Sequence, residues 1–260
     1  MAGGSRDPGR GVTSKVFAIL EVFEKSDGAL TMAEIASQSG LPVSTTHRLV
    51  QDIVEWGMLE RTSTGRYQVG IRLWELAQKA GRQLREAARP WIQDLFALTG
   101  ETVLITVRQE RDSLVVDRAH GAKRAARTSR VGSRLPLHST AMGKVLLAYE
   151  EEWVRQSYLQ GPLAQLTPAT HTNPQRLIEE LAQICEQGYA LSIEEVRQGA
   201  CAIAVPVFHT GRIGASLGIV TDAKNAPHLK RYLPALLGTS AQIERATRRI
   251  PLETLLGAAR

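Results

Sequence analysis

The sequence has only two cysteines, Cys185 and Cys201, in 260 residues. That is too few for a disulfide framework, and the two thiols are expected to sit in a reducing compartment. No C-x-x-C pair and no H-x-x-x-H spacing offers a zinc site, so no metal is expected, and no motif calls for a cofactor. No apolar run approaches the ~20 residues needed to cross a bilayer, which excludes a membrane-spanning helix. Residues 1–10 contain Gly, Arg and Pro in place of the apolar core of a signal peptide. A cytoplasmic protein with a disordered tail over residues 1–11 is therefore expected.

The formal net charge is +6, which invites a nucleic-acid partner. The excess is unevenly spread. Residues 1–70 carry seven Lys/Arg against eight Asp/Glu, whereas residues 71–134 carry thirteen against seven. Charge alone therefore does not assign the function, and the motifs must.

In the first segment Val16, Ile19, Leu20 and Phe23 recur at helical spacing, predicting a helix over residues 14–24. Lys25-Ser-Asp-Gly28 ends it. Thr31-Met-Ala-Glu34 has the spacing of a capping box, opening a short helix that buries Ile35 and the alanines 33 and 36. Gly40 stands where a left-handed residue ends that helix. Pro42 at or near the first turn starts a third, with Thr46, Leu49, Val50 and Ile53 as its buried stripe. Ser44, Arg48 and Gln51 face the other way, flanked by Thr45 and His47. Two short strands around Thr62-Ser-Thr-Gly65 then form a hairpin, on which Arg66, and less directly Arg61, can reach phosphate. The order is that of a winged helix-turn-helix, whose second helix enters the major groove. Hydroxyls and a guanidinium on its exposed face suit phosphate and guanine edges. A helical module that docks a protein partner has the same local signals and stays open as the alternative.

Residues 71–98 read as helix, with Pro90 expected to kink it or begin a new one. Arg82, Arg85 and Arg89 form either a solvated row or a phosphate-facing one. Strands follow at residues 102–108 and 113–118. An Arg-rich stretch bearing Lys123, Arg124, Arg127, Arg130 and Arg134 is either an exposed loop or an attractor of anions. A helix is expected from Ser139, with small residues at Thr140, Ala141 and Gly143 that leave room for a ligand at its start. Its unpaired N–H groups favour a carboxylate, so one wall of a ligand pocket is placed at Leu135, Leu137, Thr140, Ala141 and Met142. Asn173-Pro174 starts a helix to about Gln187. Strands are expected at residues 190–193, 200–208 and 212–221, with His209-Thr-Gly211 as a hairpin turn. A long helix at residues 227–248, with Pro234 as a possible break, and a tail at residues 251–260 complete the chain.

Gly214-Ala-Ser216-Leu-Gly218 matches the G-x-S-x-G nucleophile elbow, but the apolar residues after it predict a continuing strand where an elbow needs a turn and a helix. Glu194-Glu195 is either an acid-base pair or a support for the loop before Gly199, and His138 reads as structural. No enzymatic activity is expected.

The chain resembles the IclR family of transcription regulators. The likeness is carried by Leu41-Pro-Val-Ser-Thr-Thr-His-Arg-Leu49, the hairpin between Gly57 and Gly70, and Gly132-Ser-Arg-Leu-Pro-Leu-His-Ser-Thr-Ala-Met-Gly-Lys144. Glu194-Glu195, Gly199 and Ala202-Ile-Ala-Val-Pro-Val207 extend it. The resemblance implies an α+β chain. A winged helix-turn-helix (residues 12–71) is followed by a linker helix (72–89) and a GAF/profilin-like effector domain (90–250) with an antiparallel sheet flanked by helices. It implies double-stranded operator DNA and a small-molecule effector as partners, and a homodimer or a tetramer built of two dimers. The DNA-binding set is then Lys15, Thr31, Ser44, Thr45, Thr46, His47, Arg48 and Arg66. Members that bind small keto acids line their pocket with Asp, Cys and Ser. Ser192, Ala202, Gly218 and Val220 stand at those positions here, and Ala200 is counted with them. Losing those polar groups predicts an effector larger or less polar than glyoxylate or pyruvate. The expected function is a ligand-controlled repressor, preferred over an activator.

Overall fold

The computed structural model describes residues 11–26, 28–77, 82–121 and 130–251. Lys123, Arg124 and Arg127 of the Arg-rich stretch lie outside them, as do residues 1–10 and 252–260 of the tails expected at 1–11 and 251–260. The chain divides into two compact units between residues 80 and 81.

The first unit holds α1 (Val12–Lys25), α2 (Met32–Ser39), α3 (Val43–Glu55), a hairpin of β1 (Leu59–Arg61) and β2 (Tyr67–Val69), and α4 (Ile71–Ala77). Its core gathers Ile19, Phe23, Ile35, Leu49, Val50, Ile53 and Tyr67. In α1 Val22 is buried while Val16 and Leu20 are only half-buried, so the apolar stripe is rotated from the expected one. The capping box of α2 is present in full: Glu34 N–H donates to Thr31 Oγ1 and Thr31 N–H donates to Glu34 Oε2 at 2.7 Å. Ala33, expected inside, is exposed, and Ser39 takes the third buried place. Gly40, at φ +67°, closes the helix in the left-handed conformation. Pro42 is the N-cap of α3, one place before the expected N1. Leu30 and Tyr67 exchange backbone hydrogen bonds of 2.8 and 2.7 Å, which ties the α1–α2 connection to the wing.

The second unit is a six-stranded antiparallel sheet in the order β5-β4-β3-β8-β7-β6. The strands are β3 (Thr102–Gln109), β4 (Asp112–Ala119), β5 (Arg134–Pro136), β6 (Ala190–Ile193), β7 (Ala200–His209) and β8 (Arg212–Asp222). Strand alternation divides the core between two faces. Val103, Ile105 and Val107 of β3 pack with Leu84, Ala88, Ile92 and Leu95 of α5 (Arg82–Thr99) and with Leu236 and Ile243 of α9 (Leu233–Thr247). Leu104, Ala202 and Ala204 pack on the other face with α6 (Ala141–Ala148) and α8 (Pro174–Gln187). Helix α7 (Glu152–Leu159), not expected, adds Tyr158 to that side.

Two expectations need correction. Leu84 and Ala88 of the expected linker helix belong to the second unit's core, so residues 82–89 are part of that unit. Pro90 does not begin a new helix: it lies exposed inside α5, which continues through it. The break expected at Pro234 is present: a 3-10 segment (Ala223–Tyr232) precedes α9, which places Pro234 in the first turn of α9, where a missing N–H costs nothing.

Candidate nucleic-acid interface and effector cavity

Helix α3 turns its polar edge outward. Ser44, His47, Arg48 and Gln51 are exposed and Thr45 is half-buried. The Arg48 side chain is 63% exposed and lies 3.7 Å from Asp52, a loose surface pair that a phosphate or base edge can replace. Thr46 is fully buried and its hydroxyl donates to Pro42 O at 3.1 Å. A residue serving the core does not reach DNA, so Thr46 leaves the set. The Thr31 hydroxyl is committed to its capping box. Arg66 donates to Ala29 O at 3.0 Å and lies 3.6 Å from Glu34, so it is held by its own domain. Lys15, one turn into α1, is half-buried.

In the second unit a cavity of about 440 Å³, open at its mouth, lies beside the start of α6. It brings together eight of the expected pocket residues: Leu135, Thr140, Ala141, Met142, Ser192, Ala200, Ala202 and Val220. Leu137 is fully buried in the core behind it. At Gly218 an added Cβ would fall 2.5 Å from Met142 Sδ, so Met142 covers Gly218. Gly143, expected to leave room for a ligand, instead meets the main chain of Leu137, 2.5 Å from a built Cβ.

Val196, Arg197 and Cys201 complete the lining and were missed. The Cys201 thiol donates to Asp222 O at 3.2 Å, and burial, with Asp222 and Glu101 adding to it, pushes its pKa up to about 11. Cys201 packs with the α5/α9 core and Ala202 with the α6 core, as strand alternation requires. Val196 and Arg197 lie on a loop without periodicity, and only the adjoining Glu194-Glu195 and Gly199 mark it. Both hydroxyls of the lining are committed as donors: Ser192 to Ser139 O at 2.8 Å and Thr140 to Pro136 O at 3.3 Å. The Thr140 oxygen also caps α6 by accepting from Gly143 N–H.

The loop over residues 194–199 is firmly held. Glu194, at φ +58°, accepts from Gly199 N–H at 2.7 Å. The Thr167 and Thr170 hydroxyls donate to the carbonyls of Glu194 and Glu195 at 2.7 and 2.6 Å. Lys144, fully buried, donates to Glu195 at 2.7 Å and Glu180 at 2.6 Å. Burial pushes the Glu195 carboxyl above the usual carboxylate range, against the pull of that ammonium. His171 with Glu180 and Glu195 forms a group of metal-ligand type, but the Lys144 ammonium already places a cation on both carboxylates. His138 accepts at Nδ1 from the Tyr158 hydroxyl (2.8 Å) and donates at Nε2 to Ala164 O (3.0 Å), the pattern of a neutral ring. Burial, opposed by the Ala164 hydrogen bond, lowers its pKa. Ser216 lies in the middle of β8 and donates to Val205 O, so the G-x-S-x-G stretch is strand with no elbow.

Comparison with known proteins accords with this arrangement. Residues 12–63 match the IclR helix-turn-helix domain and residues 78–245 the bacterial transcriptional regulator IclR C-terminal domain. The chain is 34% identical over 212 residues to the HTH-type transcriptional regulator XynR of Escherichia coli K12, covering 80% of this chain and 84% of that protein. It is 30% identical over 207 residues to the transcriptional repressor AllR of the same strain, covering 78% and 76%. An IclR homolog from Microbacterium hydrocarbonoxydans, solved with 4-hydroxybenzoate, superposes with a TM-score of 0.85 at 30% identity over 91% of this chain and 98% of that one. These relatives are regulators, and none is named as an enzyme. Among the described residues no helix is long and apolar enough to cross a membrane. The chain belongs to the IclR family of transcription regulators, which bind DNA and respond to effectors.

Proposed function

We propose that this protein is a repressor that grips operator DNA through Ser44, Thr45, His47 and Arg48 of α3, and that its grip is set by an organic acid held in the cavity beside α6. The cavity carries the reading. It is concave and its lining is largely aliphatic, with a few polar groups, the make-up of a small-molecule site. A molecule as small and polar as glyoxylate has little apolar surface to bury against that lining, whereas the ring of an aromatic acid has more. The similar Microbacterium protein holds 4-hydroxybenzoate, which fits that description. Repression follows the named role of AllR, and a bacterial regulator of this kind meets its operator in the cytoplasm. A homo-oligomer joined through the first units would cover Phe17 of α1 and Ile71 and Trp74 of α4, which are exposed apolar side chains.

The test is a gel shift with DNA from upstream of the protein's own gene, at fixed salt because phosphate contacts make affinity salt-dependent. The expected result is retardation that survives excess non-specific DNA and changes when 4-hydroxybenzoate is added. Retardation abolished by excess non-specific DNA rejects the operator reading. Calorimetry that finds glyoxylate or pyruvate bound more tightly than 4-hydroxybenzoate rejects the effector reading.

A further inference from the structure

Among the described residues Arg197 is the one charged side chain in the cavity lining, and the loop that carries it belongs to no helix or strand. Its Nε is buried and has no hydrogen-bond partner among the described residues. A guanidinium stays protonated at all working pH values, and a buried donor without an acceptor is costly. The two carboxylates nearest in sequence do not serve it: Glu194 is bonded to Gly199 N–H and Glu195 to Lys144. The loop is fixed at its base by the Thr167 and Thr170 hydroxyls, so the guanidinium is presented on a preorganised support. The lining hydroxyls of Thr140 and Ser192 have already given their protons to carbonyls. Among the lining side chains, Arg197 is therefore the donor left for an incoming ligand.

We propose that Arg197 receives the anionic group of the effector, and that it selects a single carboxylate on an apolar body over neutral molecules of the same shape. This rests on the cavity being the effector site. The start of α6 borders the same cavity and also attracts anions, so the proposal is specific: the guanidinium, and not the helix terminus, decides between charged and neutral ligands. A planar fork can take both carboxylate oxygens at once, whereas an amide offers it one acceptor and no charge.

The experiment uses the full chain with benzoate, 4-hydroxybenzoate and benzamide, read by calorimetry and by thermal shift. The variants are R197M, R197K and two that fill the cavity, A202L and V220F, each checked for native circular dichroism. Wild type is expected to bind benzoate at least tenfold more tightly than benzamide, as loss of a charge-assisted hydrogen bond implies. R197M is expected to lose that preference by weakening benzoate alone, and R197K to retain part of it. If R197M keeps the tenfold preference while the filled variants lose all binding, the cavity is the site and the proposal for Arg197 is overturned. If benzoate binds and neither natively folded filled variant weakens it, the cavity reading falls and takes the proposal with it. Absence of binding to wild type by both acids overturns the assignment of the carboxylate class.

Discussion

At the scale of single residues, Lys144 sets the terms for the cavity. Its ammonium is wholly shielded from solvent and is held by carboxylates 2.6 and 2.7 Å away. Removing one member of a buried ion cluster strands the others, at a cost of roughly 3–5 kcal/mol. K144M is therefore expected to lower the unfolding free energy measured in urea by about that amount, and K144M/E195Q to regain part of it; a single variant as stable as wild type refutes the role given to the cluster. Lys144 was not legible in the sequence as a buried group. An eight-residue helix with one lysine reads as having a solvated edge, and its partners lie 36 and 51 residues further along. Arg197 was hidden for a similar reason, because no periodicity governs a loop. Gly143 was misread in the opposite sense. Its missing side chain admits the Leu137 main chain, not a ligand, so G143A is expected to destabilise by about 1–3 kcal/mol through overpacking, measured by chemical denaturation. Arg48 is the residue whose exposure agrees with its expected work. R48A is expected to weaken operator binding by roughly tenfold or more, since a bidentate base contact is worth about 1–3 kcal/mol; equal affinity at matched salt removes it from the interface.

Elements were most legible where their ends carry chemistry. The capping box at Thr31, the Gly40 stop and the Asn173-Pro174 start each satisfy backbone groups in a way that a few letters reveal. T31A is expected to cost about 0.5–2 kcal/mol, seen as a lower melting point of the first unit, while T31S restores it; a T31A protein of unchanged stability shows that the rest of the unit fixes α2 without its cap. Strands β3, β7 and β8 were legible because each is a short, nearly continuous run of buried residues bounded by turn residues. The failures have separate causes. Helix α7 has only Val154 and Tyr158 buried, too weak a stripe to stand out. Helix α5 continues through Pro90 because Leu84, Ala88, Ile92 and Leu95 are anchored on the sheet to either side of it, so tertiary burial overrides a local breaker. The same anchoring explains why the expected linker helix contributes to the second unit's core.

At the scale of the whole chain, each unit has its own core. A ligand bound in the second unit raises that unit's transition by mass action on the folded form. Acid acts on the same unit through His138. The folded unit keeps this ring neutral, with its pKa lowered by burial and by the Lys144 and Arg111 charges, although the Ala164 hydrogen bond opposes the shift. The unfolded chain protonates its histidines near pH 6.5. Below that pH the unfolded state binds a proton that the folded state resists, so stability falls as the pH falls. Above pH 6.5 neither state is protonated and the contribution is complete. Calorimetric scans from pH 7.5 to 5.5 are therefore expected to show the second unit's transition moving down as the solution becomes more acidic. H138Q retains a side-chain hydrogen-bonding group without a titrating ring, so its transition is expected to shift less over the same interval. A wild-type transition that is level or rises on acidification contradicts the neutral, doubly hydrogen-bonded imidazole beside Tyr158, and an H138Q slope equal to wild type assigns the acid sensitivity to another group.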